Sequence, residues 1–319
     1  MSKKQRKYAD DGWAVWVDGH DTSTVYINDW LNPKGKSYVD LAIRIRGVKS
    51  GKSLHVYVPF AVSRDEIEDV SLLFNDTKIL QANFSAACIV DYKKNEYTSE
   101  VAYNGKIVDI VHISTLGYQL KPLADGTLID FDLEKLQQFL DNDEAYLIWR
   151  MPHKSLDAIF KPRVDMNNVL TRLRDLITTP VVSERYGYSI RINETRMLPE
   201  EITKIGVFHR QKLQKAVITL SIDEDYEVND LGCYRIRRLE ENLYRKYLPK
   251  DYVCEDVITY HWNQTRIDNM QGQFNFYYNI TKESVSRGSM TVYMVLLMVL
   301  GIIGNLLATL IEIIIAAVV

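Results

Sequence analysis

Tyr38-Val39-Asp40-Leu41-Ala42-Ile43-Arg44-Ile45-Arg46 places Val39, Leu41, Ile43 and Ile45 at alternate positions. Only an extended strand carries such a period-two pattern onto a single face, so the segment reads as a strand with one side in a core. Leu54-His55-Val56-Tyr57-Val58 repeats the alternation, and Gly47 to Gly51 between them reads as a hairpin. Ser63-Arg64-Asp65-Glu66 then forms a capping box, and Ile67, Val70, Leu73 and Phe74 supply the apolar stripe of a following helix. Further strands are expected at Phe84–Asp91 and at Tyr97–Tyr103, the latter joined by Asn104-Gly105 to Lys106–Ser114. Beyond these, helices are expected at Asp132–Leu140, Asp165–Ile177 and Arg237–Tyr247, the last ended by Leu248-Pro249. Strands are expected at Tyr188–Ile192, Ala216–Ile222 and Gln273–Ile280. Hairpin-linked strands with interspersed helices predict an α+β fold with a largely antiparallel sheet.

The carboxy-terminal end is different. Ser289 to Ile311 is a run of 23 residues without a charge, mostly Leu, Ile, Val and Met. That length meets the roughly 20 apolar residues a bilayer demands, and a helix satisfies its own backbone hydrogen bonds in lipid. The chain therefore divides into a basic disordered tail over 1–9, a soluble sensor domain over 10–288 and a transmembrane helix over 289–319. Pro152 and Pro162 would allow two lobes within the soluble domain, 10–150 and 151–288. Lys282 and Arg287 precede the span and no basic residue follows it, so a single-pass protein with its soluble domain in the cytoplasm is expected, in the inner membrane if the source is bacterial. No secretory signal is visible at the start, so the Asn-x-Ser/Thr triplets at Asn75, Asn83, Asn193, Asn263 and Asn279 are read as chance.

The span is not uniformly apolar. Gly301, Asn305, Thr309, Glu312 and Ala316 fall within an arc of about 80° at 100° per residue. An ionised side chain deep in a bilayer costs about 2.5–3.5 kcal/mol, so Glu312 is expected to face protein or water. The stripe is read as pore-lining or helix-packing in a homo-oligomer, for instance a tetramer.

In the soluble domain, the formal net charge of −3 argues against wholesale nucleic-acid coating. Gly47-Val48-Lys49-Ser50-Gly51-Lys52-Ser53 is one residue short of a phosphate-binding loop and precedes a strand instead of a helix. The odd number of cysteines, Cys88, Cys233 and Cys254, and the spacing of the six histidines suggest no disulfide framework or zinc site, and no cofactor is expected. Asp91-Tyr92-Lys93, with Asp76 or Glu66 upstream, has the acid-x-Lys pattern of one nuclease family. A membrane-anchored metal-dependent nuclease is therefore one alternative. A tail-anchored scaffold without conduction is another.

Arg235, Arg237, Arg238, Tyr244, Arg245 and Lys246 interleave basic and aromatic side chains. Guanidinium pairs with phosphate and tyrosine stacks on bases, so this run is the candidate site for a nucleotide or short single-stranded nucleic acid. His209-Arg210-Gln211-Lys212, Arg185-Tyr186-Gly187-Tyr188, Arg191 and Arg196 are expected to add to the same surface.

A large soluble α+β domain followed by one terminal span resembles the membrane effectors of bacterial antiviral defence, and in size and layout the Hailong channel effectors among them. The resemblance is one of organisation over the whole chain, without a motif matched residue by residue. It implies a ligand-gated oligomeric channel whose sensor domain binds short DNA oligomers made by a partner nucleotidyltransferase.

Overall fold

The computed structural model describes residues 6–19, 24–84, 87–103, 105–160, 181–205, 213–229, 232–266, 272–285 and 287–318. The expected helix Asp165–Ile177, together with His20, Asp21 and His209–Lys212, lies outside them. The architecture is α+β: two mixed sheets, several short helices and one long terminal helix.

The strands are β1 (Arg6–Val17), β2 (Thr24–Trp30), β3 (Tyr38–Arg46), β4 (Ser53–Val58), β5 (Cys88–Asp91), β6 (Thr98–Tyr103), β7 (Lys106–Val111) and β8 (Gln119–Leu123). They continue with β9 (Gly126–Asp132), β10 (Glu144–Pro152), β11 (Val181–Ile192), β12 (Lys215–Asp223), β13 (Tyr226–Asn229), β14 (Arg235–Arg238), β15 (Val257–Thr265) and β16 (Phe274–Val285). One sheet has seven strands in the order β13-β16-β11-β1-β4-β9-β8, and the other has nine, β14-β15-β12-β2-β3-β10-β7-β6-β5. Most ladders are antiparallel, but β1 with β11, β12 with β2, and β10 with β7 run parallel.

Val39, Leu41, Ile43 and Ile45 point into one core together with Trp13, Val15 and Val17 of β1 and Val56 and Val58 of β4. The sheets thus face each other across a shared apolar layer. Trp262 of one sheet stacks on Tyr278 of the other at 5.5 Å, and Phe131 meets Trp149 at 5.1 Å. At about 25 cal/mol per Å² of buried apolar surface, this layer is the main stabilising element of the soluble body.

Several expectations are corrected. Gly47–Gly51 is not a hairpin: β3 lies in the nine-stranded sheet and β4 in the other, so the segment crosses the sandwich through a 3-10 turn, Val48–Ser50. Gly47 enters this turn at φ 71°, a conformation glycine adopts without strain. The proposed split into lobes also fails, because β1 pairs with β11 and β2 with β12, knitting both halves of the chain into both sheets. Arg6–Ala9, assigned to the tail, begin strand β1, where Arg6 registers with Arg185. The capping box at Ser63–Glu66 is present, but it leads into a 3-10 turn, Val70–Asn75, and then helix α1 (Thr77–Phe84), which takes the start of the expected strand Phe84–Asp91.

The other helices are α2 (Ile113–Leu116), α3 (Leu133–Gln137, capped by Asp132), α4 (Lys154–Phe160), α5 (Glu200–Thr203) and α6 (Glu241–Tyr247). Of the helix expected over Arg237–Tyr247, Arg237 and Arg238 belong instead to edge strand β14, hydrogen-bonded to β15. Leu248 ends α6 in an extended conformation before Pro249, as the sequence suggests.

Helix α7 (Arg287–Val318) follows β16 almost directly. Its stretch Tyr293–Ala316, 24 residues, is long and apolar enough to cross a membrane. Leu297, Leu306, Ile313 and their neighbours are exposed along it, an apolar surface far larger than water tolerates on a monomer.

Candidate functional site

The outward face of the nine-stranded sheet carries a cavity of about 320 Å³. Strand pleat explains its composition. In β2 the residues alternating with core Val25 and Ile27 are Tyr26, Asn28 and Trp30, and in β3 those alternating with Ile43 include Arg44. Pairing then aligns residues from distant regions of the chain. Arg235, His261, Thr219, Asn28, Asp40 and Arg150 form one cross-strand row over β14, β15, β12, β2, β3 and β10. Helices α1 and α6 cover the sheet on this side, contributing Phe84 and Tyr244 to the walls.

Among the described residues, four cations line the cavity, Arg44, Lys215, Arg235 and Arg237, and no carboxylate does. In a chain of formal net charge −3, that is a local concentration of positive charge. Arg44 is ion-paired with Glu144 from behind and lies over the Tyr103 ring at 5.5 Å. Lys215, Arg235 and Arg237 have no carboxylate partner among the described residues. Arg237 donates to the Tyr244 hydroxyl at 3.0 Å.

Three buried polar atoms here, Arg44 Nη2, Arg237 Nε and His261 Nε2, lack a hydrogen-bond partner among the described residues. Burial, then the neighbouring Arg237 and Arg235, push the His261 imidazole down to about 4, so it is neutral at physiological pH. The Thr219 hydroxyl oxygen lies 3.2 Å from Nδ1, and the two arginine atoms are donors. A buried donor left unmatched costs about 1–3 kcal/mol, which a ligand bearing acceptors would relieve. Aromatic faces from Tyr26, Trp30, Phe84, Tyr103 and Tyr146 complete the walls. Stacking surface beside convergent donors and cations suits an aromatic anion.

Of the six candidate residues, the structure brings Arg235, Arg237 and Tyr244 to the cavity and Lys246 to an adjoining groove. It turns the other two away. Arg238 alternates to the opposite face of β14 and pairs with Asp256, and Arg245 pairs with Glu241 and Glu255 on the outer surface of α6. Nor do the described residues expected to add to this surface do so. Tyr186 and Tyr188 are buried between the sheets, Arg191 pairs with Asp10 and Glu194, and Arg196 pairs with Glu194. Arg44, Lys215, His261 and the aromatic walls were missed. Their signal was the outward set of each strand, polar and aromatic where solvent alone would not require aromatics.

Behind the cavity, Asp40 and Arg150 form a fully buried ion pair, Nε to Oδ1 at 2.6 Å and Nη2 to Oδ2 at 3.0 Å. Trp30 Nε1 and the Tyr247 hydroxyl also donate to Asp40, at 2.7 and 2.8 Å, and Arg150 Nη1 reaches the Tyr247 carbonyl at 2.7 Å. This network pins α6, and with it Tyr244, against β2, β3 and β10.

The nuclease pattern gains no geometry: Glu66 binds Ser63 and Lys154, and among the described residues no group of three or more His, Cys, Asp or Glu could hold a metal. In α7, Thr309 back-bonds to the Asn305 carbonyl at 3.0 Å, while the Asn305 amide and Glu312 carboxylate have no partner among the described residues. No protein-family model matches the chain, and no curated protein does.

Proposed function

We propose that this protein is a membrane-anchored sensor whose cavity binds a nucleotide or short single-stranded nucleic acid and whose terminal helices assemble into a ligand-controlled pore. The carrying observation is the cavity itself, with four cations, no carboxylate among its described lining residues and aromatic walls. Phosphate would take the guanidinium groups, and a base would stack on the tyrosine and tryptophan faces.

The pore half of the reading is supported by α7. A helix this apolar belongs in lipid, where Asn305 and Glu312 require either water or one another's symmetry mates. Copies arranged with Gly301, Asn305, Thr309, Glu312 and Ala316 inward would give a narrow, cation-preferring path with a ring of acid. The soluble domain lies on the cytoplasmic side, and the ligand comes from a partner nucleotidyltransferase in an antiviral response, as in the effectors whose organisation this chain resembles.

The test is calorimetric titration of the full-length protein in detergent with nucleoside mono-, di- and triphosphates and with short single strands. Binding that Arg235→Ala/Arg237→Ala weakens by about tenfold or more, with folding unchanged, supports the reading. Absence of binding across both ligand classes would overturn it.

A further inference from the structure

Among the described residues, β14 and β5 end the nine-stranded sheet, and β13 and β8 end the other. An open edge invites another strand, and proteins blunt it with proline, lysine or other charge. β8 carries Lys121 and Pro122, β13 carries Glu227, and β14 reads Arg235-Ile236-Arg237-Arg238. β5 is different. Cys88-Ile89-Val90 is apolar, Asp91 is its one charge, and Ile89 is 77% exposed.

These two ends of one sheet match each other. Ile236 registers with Tyr260, which faces the core between the sheets. Ile89 registers through Ala102 with Ile107, which shares its face of β7 with Val111 of the same core. Ile236 at one edge and Ile89 and Ile107 at the other therefore lie on the same face, and all three are exposed. Direction agrees as well: followed ladder by ladder from β14 to β5, the two end strands run the same way. Charge is complementary, with three arginines on β14 and a lone carboxylate on β5.

Resting on the assembly read from α7, we infer that the soluble domains join head to tail, β14 of one copy taking β5 of the next as a parallel strand. The sheet then continues from copy to copy with its faces in register, and Ile236 meets Ile89. Strand directions are preserved, so every β16 delivers its α7 to the same side of the membrane. An antiparallel pair of β5 strands would turn one copy end for end, and β14 against β14 would set arginine beside arginine. Head-to-tail contacts close into a ring when the rotation permits. Arg235 and Arg237 reach the cavity from β14, so the neighbour's edge steadies the strand that presents them.

The experiment replaces Ile89 with p-benzoylphenylalanine in the full-length protein in vesicles, irradiates, and maps the joined peptides by mass spectrometry. The expected product is a covalent dimer of the chain joined within residues 232–239, and the same probe replacing Ile236 should capture residues 87–92. Ile236→Lys should lower the yield from the probe at position 89 by at least about threefold. Ile236 is exposed, so its thermal unfolding should be unchanged. Capture of β5 of another copy, of a different protein or of nothing, in oligomers that chemical crosslinking shows intact, would overturn the edge contact and leave assembly through α7 standing. Copies that stay single would overturn both.

Discussion

Replacing Asp40 by asparagine keeps the shape of the side chain and removes its charge from beside Arg150. Both groups are withdrawn from water, at 0% and 1% exposure, so the guanidinium would keep only the looser pairing with the half-exposed Glu68 carboxylate, 3.6 Å from Nη1. Removing one partner of such a pair costs about 3–5 kcal/mol. The asparagine amide would also present hydrogens to Arg150, Trp30 and Tyr247, each of which donates to Asp40. A soluble body of nearly 290 residues has an unfolding entropy near 0.6 kcal/mol/K at about 2.1 cal/mol/K per residue, so Tm should fall by about 5–8 °C. Differential scanning calorimetry of the full-length protein reads this directly. The companion is Asp40→Leu/Arg150→Met, which removes the buried charge but leaves the Trp30 and Tyr247 donors unmatched, so it should recover only part of the loss. An Asp40→Asn protein with unaltered Tm would refute the view that this pair clamps α6 to the sheet.

Gly12→Ala in β1 places a Cβ 2.2 Å from the Met197 carbonyl oxygen, so the backbone must move; a loss of about 2 kcal/mol or more in urea unfolding is expected. Burial raises Asp29 to about 8 from 3.8 and lowers neighbouring His153 to about 3 from 6.5. The native state thus binds the extra proton at Asp29 between about pH 4 and 8, which makes stability fall with pH, while His153 makes it rise between about pH 3 and 6.5. The two oppose each other below 6.5, so stability should drop between about pH 6.5 and 8, and Asp29→Asn should flatten that drop in unfolding midpoints taken across the range. Glu312→Gln should leave oligomers intact by crosslinking while reducing cation preference in reconstituted vesicles; loss of oligomers would make the glutamate a packing residue instead.

The individual strands were legible because period-two alternation is written locally: β3, β4, β12 and the hairpin at Gly105 follow from it. Which sheet each strand joins was not. A glycine-bounded turn at Gly47–Gly51 looks the same whether the chain folds back on itself or crosses to the facing sheet. The choice rests on β4 pairing with β1 and β9, a long-range matter. Arg237-Arg238 reads as the start of a helix by composition, yet its backbone completes an open edge of β15. For the site, the local run found Arg235, Arg237, Tyr244 and Lys246 because they are close in sequence. Arg44, Lys215 and His261 reach the same cavity only through the register of β3 with β2, of β2 with β12 and of β12 with β15. The terminal span was legible because nothing long-range is needed: length and hydropathy suffice.

The most direct measurement is cation flux from vesicles reconstituted with the full-length protein, recorded with and without the tightest nucleotide ligand found by titration. Flux should change on adding ligand to the unaltered protein, stay unresponsive in Arg235→Glu/Arg237→Glu, and fall in Asn305→Leu. Ligand-bound oligomers that never conduct, or flux indifferent to ligand and to Asn305, would contradict a sensor coupled to a pore.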